Sequence, residues 1–264
     1  MATMQPFLQC PPERLRQLRG VLTDIDDTLT TEGAIAPAAL RALIDLHAAG
    51  VPVIAITGRP SGWSEPFARD WPVHAIVAEN GAVMLRMQAG ELQRSFTQDE
   101  ATRAANFERL QRCAQAVLAE IPGTCLATDS AGRLTDIAVD HSEFAHLTQA
   151  QISQVVALMQ EHGLHATVSS IHINGWIGEH SKWTAAAWAV EATTGQRFVA
   201  DDWLYVGDST NDQLMFEHIA LSVGVANIER FVPQLKVLPA YVTLAARGEG
   251  FAEVARALLG ARRG

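Results

Sequence analysis

Cysteine is scarce and scattered. Cys10, Cys113 and Cys125 lie far apart and form no CxxC pair, which excludes a disulfide framework and fits a reducing compartment. No apolar run approaches the ~20 residues that a bilayer span needs. Met1–Arg19 lacks an apolar core followed by a small-residue cleavage site, so no secretory signal is expected. No asparagine stands in an N-x-Ser/Thr sequon. Together these absences predict a cytoplasmic protein with no membrane partner. Positive charge is also short. Twenty Lys and Arg face 29 Asp and Glu, a net charge of −9, which argues against nucleic acid or an anionic membrane as the main partner. It does not argue against a phosphate substrate, because a bound metal ion reverses the local sign. There is no internal repeat and no low-complexity tract.

What the chain does have is 264 residues, 48% of them hydrophobic and 19% charged, enough for one large domain or two modest ones. The first third alternates strand and helix. Val21–Thr23 is a short strand, and Pro37–Ala49 is a helix with proline in its first turn and Gly50 as its stop. Val51–Ile56 is an unbroken apolar run of the kind buried on both faces. Ser64–Arg69 is a short helix, and Ala75–Ala78 is a third strand closed by Glu79-Asn80-Gly81. This rhythm predicts a parallel sheet covered by helices on both sides. After Gly81 it breaks. Val83–Met87 and Leu92–Phe96 bracket a hairpin, and Asp99–Glu120 is a long helix with Phe107, Leu110, Ala114, Val117 and Leu118 at helical spacing. Thr124–Thr128, Leu134–Val139 and His165–Ile173 are strand-like, with a helix over Leu147–His162. The alternating pattern resumes with Ser181 as an N-cap, a helix from Lys182 to Thr194, strands at Trp203–Val206, Leu221–Val225 and Tyr241–Leu244, and helices at Asp212–His218 and Phe251–Leu259. The expected organisation is an α/β core from residues 1–85 and 177–264, interrupted by an α+β unit over 86–176.

In open parallel sheets ligands gather beyond the carboxyl ends of the strands. Four such ends here are polar: Asp24-Ile25-Asp26-Asp27-Thr28, Thr57-Gly58-Arg59, Asn80-Gly81, and Gly207-Asp208-Ser209-Thr210-Asn211-Asp212. Carboxylates crowded beyond a buried strand repel one another and lose hydration unless a cation offsets them. Carboxylates from two strand ends suit Mg²⁺. A hydroxyl, a lysine and backbone amides suit phosphoryl oxygens, and a carboxylate suits nucleophilic attack on phosphorus. A second carboxylate two residues away, on the same side of an extended chain, suits proton transfer to the leaving group. Each turn alone could be ordinary; their joint placement at strand exits points to phosphoryl transfer.

These segments resemble the haloacid dehalogenase superfamily. Asp24-Ile25-Asp26-Asp27-Thr28 meets its Asp-x-Asp-x-Thr motif, Thr57 its second motif, Lys182 its lysine motif, and Gly207-Asp208 through Asp212 its last. The resemblance implies a Rossmann-like three-layer α/β/α core with an inserted α+β cap that confers substrate specificity. It implies Asp24 as nucleophile, Asp26 as general acid/base, and Lys182 as their catalytic partner. Thr57, Gly58 and Lys182 would bind phosphate. Asp24, Asp26 (through its carbonyl), Asp208 and Asp212 would bind Mg²⁺, with Asn211 in support. Glu79-Asn80-Gly81-Ala82, the insertion after the third strand, and Trp176 through Lys182 are most similar to subfamily IIB, near its sucrose-phosphate and mannosylglycerate-phosphate phosphatases. Asp27, where many members carry Gly or Asn, and Trp183, where Gly is frequent, are departures.

Arg59, Asn80, His172 and Asn174 are the candidate substrate contacts, with Trp63 and Trp176 as further aromatic candidates. His141, His146, His162 and His165 lack the partners and spacing of a zinc site. The expected activity is Mg²⁺-dependent hydrolysis of a small phosphorylated metabolite, a sugar or sugar-acid phosphate, through an aspartyl phosphate, by a monomer or homodimer. The alternatives are a phosphomutase of the phosphomannomutase type, and a catalytically silent binding protein on the same scaffold.

Overall fold

The computed structural model describes residues 4–263; the ends of the two expected core segments, Met1–Thr3 and Gly264, lie outside it. The strands are Gln5–Pro6 (β1), Gly20–Thr23 (β2), Thr30–Thr31 (β3), Ala34–Ile35 (β4), Val53–Ile56 (β5), Ala75–Ala78 (β6), Val83–Gln88 (β7), Glu91–Phe96 (β8), Asp136–Asp140 (β9), His165–Val168 (β10), His172–Trp176 (β11), Trp203–Gly207 (β12), Leu221–Gly224 (β13) and Tyr241–Val242 (β14). The helices are Pro12–Arg16 (α1), Pro37–Ala48 (α2), Ser61–Asp70 (α3), Glu100–Glu120 (α4), Gln149–Glu161 (α5), Lys182–Thr194 (α6), Gln213–His218 (α7) and Arg247–Arg263 (α8).

A nine-stranded sheet runs in the order β1-β14-β13-β12-β2-β5-β6-β7-β8. It is parallel from β1 to β6, and β7 and β8 are antiparallel. β2 and β5 are buried along their whole lengths, as expected for strands covered on both faces. One face packs Leu43, Leu46, Phe251 and Leu258 of α2 and α8 against Val21, Val53 and Val206. The opposite face packs Ala185, Ala189 and Phe216 of α6 and α7 against Leu22, Ile54, Ile56 and Tyr205. A third apolar cluster holds Leu110, Cys113 and Val117 of α4 and Val155 and Met159 of α5 on the small antiparallel sheet β10-β11-β9.

The structure departs from the sequence reading in several places. The hairpin β7–β8 extends the main sheet, so the boundary expected at residue 86 falls inside β7. Pairing of Ile76 with Leu85 and Val77 with Met84 continues the buried ladder, and nothing in the hairpin's own alternation reveals which sheet it joins. The strand expected at Thr124–Thr128 contributes one bridge, Leu126 to Val139. Phe107 and Leu118, placed on the packed stripe of α4, are exposed; Leu110, Cys113, Ala114 and Val117 carry the contact. A short two-stranded ribbon, β3–β4, follows Asp24–Thr28 and has no counterpart in that reading.

The caps that set α6 decide where its lysine stands. Ser181 and Thr184 form a capping box, and Gly195 ends the helix at φ 68°, so Lys182 occupies the first helical position. No helix among the described residues is long and apolar enough to cross a membrane.

Candidate active site

Asp24 lies one residue past β2, with its amide donating to the Val206 carbonyl of the neighbouring β12 (2.8 Å). The same sheet edge presents Asp208, one residue past β12. Lys182 Nζ donates to Asp24 Oδ1 at 2.6 Å and to Asp212 Oδ1 at 2.7 Å. Oxygens of Asp24, Asp208 and Asp212 all lie within 4.8 Å of one another. All four side chains are buried. Burial drives the Asp24 pKa up to about 8, with Lys182 opposing and Asp212 and Asp26 adding to the rise. Burial also raises Asp208 well above the usual carboxylate range, reinforced by Asp24, Asp212 and Asp27. The desolvation of Lys182 is outweighed by Asp212 and Asp24, which keep its ammonium form.

These carboxylates fit a divalent cation. Three buried acids face one ammonium, and Asp208 Oδ1 is buried without a hydrogen-bond partner, an arrangement that is costly unless a cation supplies the missing charge. Asp212 behaves differently from the other two. Its Oδ1 takes Lys182 and the Tyr205 hydroxyl, and its Oδ2 takes the amides of Asp208 (2.9 Å) and Ser209 (3.1 Å). It therefore orients Lys182 and the Asp208 loop rather than offering an uncommitted oxygen. Gly207 is required beside it, because a Cβ there would stand 2.5 Å from Asp212 Oδ2.

The Asp26 side chain turns away from this cluster and accepts from Arg59 Nε at 3.0 Å. Arg59 continues to Asp129 (3.0 Å) and Glu143 (2.7 Å), so it bridges the main sheet to the smaller unit instead of presenting free donors. His172 is committed too, 3.0 Å from Glu143 Oε2. Thr57 is fully buried, its Oγ1 accepting from the Arg59 amide. Asn174 faces Gly58, where a Cβ would meet its Nδ2 at 2.8 Å, and its Oδ1 has no partner. Asn80 sits in the left-handed region (φ 54°), donates its amide to the Thr57 carbonyl, and lies 3.5 Å from Asp136. Asn211 accepts from Ser209 Oγ. Trp63 lies under the Arg59 guanidinium at 4.9 Å. Trp176 donates to the His180 carbonyl, and Trp183 packs on Phe198 and His218, away from the acidic cluster.

Sequence reasoning missed several residues. Glu79, fully buried, accepts from the amides of Ser61, Leu134 and Thr135, and Arg133 joins Asp129, Asp136 and the Gly58 carbonyl. Asp27, treated as a tolerated departure, is held by Arg230 (2.8 Å) and Arg247 (3.0 Å). Its presence was the available signal, since an added carboxylate beside the cluster demands counter-charge. Asn227 joins this group, donating to Asp208 Oδ2 and to the Asp27 carbonyl. A cleft of about 370 Å³ opens over Asp26 and Asp27, between them and Ser142–Phe144 and Ser170–Ile171 of the smaller unit.

Residues 21–121 match a family described as haloacid dehalogenase-like hydrolase, a span that includes Asp24–Thr28 and Thr57 and stops before Lys182. A protein of Methanothermobacter thermautotrophicus named phosphoglycolate phosphatase is 26% identical over 261 residues, covering 92% of this chain and all of that protein. Among solved structures, one from Thermoplasma acidophilum has a TM-score of 0.72 at 16% identity, covering 92% of this chain and 98% of its own. The sucrose-phosphatase of Synechocystis sp. PCC6803, in complex with sucrose and phosphate, has a TM-score of 0.65 at 17% identity with the same coverage. Strand-end motifs, sheet order and these matches converge: residues 21–121 are similar to the haloacid dehalogenase-like hydrolases, and the fold is shared with the solved structures over nearly the whole chain.

Proposed function

We propose that the protein is a Mg²⁺-dependent phosphatase of a small phosphorylated metabolite, a sugar or sugar-acid phosphate, working through an aspartyl phosphate on Asp24. The observation that carries this reading is the convergence of Asp24, Lys182 and Asp208 in one buried cluster, with Asp26 two residues from the nucleophile and facing the open cleft. The names of the relatives, phosphoglycolate phosphatase and sucrose-phosphatase, agree with it. Asp24, Asp208 and the Asp26 carbonyl would hold Mg²⁺, with Asp212 as their anchor. The ion would supply positive charge against the phosphoryl oxygens.

Lys182 holds Asp24 in place and offers its ammonium to the phosphoryl group, and Thr57 Oγ1 and the Gly58 amide add donors. An Asp24 carboxylate oxygen forms a bond to phosphorus as the ester P–O bond breaks. The departing alkoxide takes the proton of Asp26, and the Asp26 carboxylate then takes a proton from the water that attacks the acyl phosphate. Inorganic phosphate leaves and Asp24 is restored. Residues 86–176, apart from the hairpin that joins the main sheet, are proposed as the cap that selects substrate. The free cysteines agree with a cytoplasmic address.

Phosphate release from a panel of phosphorylated metabolites, with and without Mg²⁺ and with Asp24→Asn, tests the reading. Mg²⁺-dependent release abolished in the variant is expected. Release that survives Asp24→Asn overturns the covalent route, and transfer that needs a bisphosphate and liberates little phosphate makes the protein a mutase.

A further inference from the structure

The leaving group of any phosphate ester cleaved here must lie on the Asp26 side of the phosphorus, because Asp26 supplies its proton. That places it in the cleft over Asp26 and Asp27. At about 370 Å³ this cleft stands at the small end of ligand sites, so it suits a leaving group of few carbons.

Its charges are unevenly committed. Arg59 is 4% exposed and spends its donors on three acids, Asp26, Asp129 and Glu143. Arg230 and Arg247 are different. Arg230 uses only Nη2, on Asp27 and Asp208, and Arg247 uses only Nε, on Asp27. Among the described residues Arg230 Nε and Nη1 and both Nη atoms of Arg247 meet no acceptor. Their side chains are 44% and 37% exposed, and both line the cleft. Both guanidiniums meet Asp27, and Arg230 also reaches Asp208 at 3.4 Å, yet each keeps N–H donors to spare; Glu32 lines the same cleft.

Arg247 is also fixed in place. It is a non-glycine residue at φ 53°, a conformation that persists only where the surroundings enforce it, and Asn227 Oδ1 accepts its amide at 2.8 Å. Ser170 lines the same cleft; its hydroxyl oxygen is buried and has no hydrogen-bond partner.

We propose that Arg230 and Arg247, with Ser170 in the lining of the same cleft, form a subsite for a carboxylate on the leaving group, so that the substrate is a short phosphorylated carboxylic acid. The proposal rests on the phosphatase reading and narrows its substrate class. Guanidinium forks match carboxylates in geometry, and charge-assisted bonds of this kind are the strong ones.

The test compares 2-phosphoglycolate with ethyl phosphate, two-carbon esters that differ in the carboxylate. The wild-type protein is expected to favour the carboxylated ester by about tenfold or more in kcat/KM. Arg247→Gln is expected to collapse that ratio toward one through the KM of phosphoglycolate. Ser170→Ala, which removes one uncharged donor, is expected to lower it about threefold. A wild-type ratio of one, or an Arg247→Gln ratio equal to wild type, overturns the subsite. Hydrolysis of neither ester counts against the phosphatase reading itself. The subsite is then judged by calorimetric binding of both esters to Asp24→Asn protein, where equal affinities overturn it.

Discussion

Arg59 Nε stands 3.0 Å from Asp26 Oδ1, and the same guanidinium reaches Glu143 across the cleft at 2.7 Å. The side chain that orients the proposed proton donor is thus also a bridge between the two units. Arg59 cannot serve as a substrate contact while it makes these bonds. We propose that it acts through Asp26 as a positioning residue.

Asp26→Asn separates the two roles. An asparagine oxygen still accepts from Arg59, so folding stability is expected to hold within about 1 kcal/mol. Phosphate release is expected to fall by roughly 10²–10⁴-fold, the usual contribution of acid–base catalysis. Thermal unfolding and steady-state kinetics on the same sample check both halves; activity near wild type would remove Asp26 from the chemistry.

Asp208→Asn is expected to stabilise the metal-free protein while abolishing turnover. Burial and three neighbouring acids penalise the Asp208 carboxylate, and Oδ1 has no donor. Removing that charge relieves repulsion worth about 1–2 kcal/mol. Unfolding in chelator should shift upward in the variant, and added Mg²⁺ should stabilise only the wild type.

Glu79→Gln should destabilise strongly for a residue that touches no substrate. Its carboxylate accepts from Ser61, Leu134 and Thr135, and a carboxamide must turn an N–H₂ toward some of those donors. The expected loss is about 2–4 kcal/mol in urea unfolding, with kcat/KM falling less than for Asp26→Asn.

Glu143 predicts an acid-sensitive bridge. Burial alone would raise its pKa, but hydrogen bonds from His172 and Arg59 outweigh it and pull the group down to about 2 from 4.5. A carboxylate depressed on folding contributes stability above its unfolded pKa and loses it as pH falls from about 4.5 toward 2. The contribution is about 1–2 kcal/mol, with allowance for solvent screening at a partly exposed group. Wild type should lose that increment over the window, and Glu143→Gln should not; parallel melting curves from pH 6 to pH 3 would refute it.

The parts of the candidate site that were legible in the sequence are the strand ends and the capped helix start. Asp24, Thr57, Lys182 and Asp208 each follow or precede a strongly patterned element, so alternation and capping located them. The commitments of Arg59 were not legible, because Asp129 and Glu143 lie 70 and 84 residues away in the chain in a segment without strong periodicity. The assignment of β7–β8 failed for a related reason. A hairpin's period shows that it has two faces, but its partner is chosen by register with β6, which is a tertiary fact. Arg230 and Arg247 are surface-like in sequence, and only the position of Asp27 gives them a purpose.

The place of β2 in the sheet carries one more consequence. It is the fifth of nine strands, so four strands insulate it from each open margin. Breathing at either margin decays before it reaches Asp24, whose amide is itself bonded across to Val206. That amide should be among the slowest in the protein to exchange with deuterium, while the smaller unit, with its own apolar cluster, loosens on its own schedule.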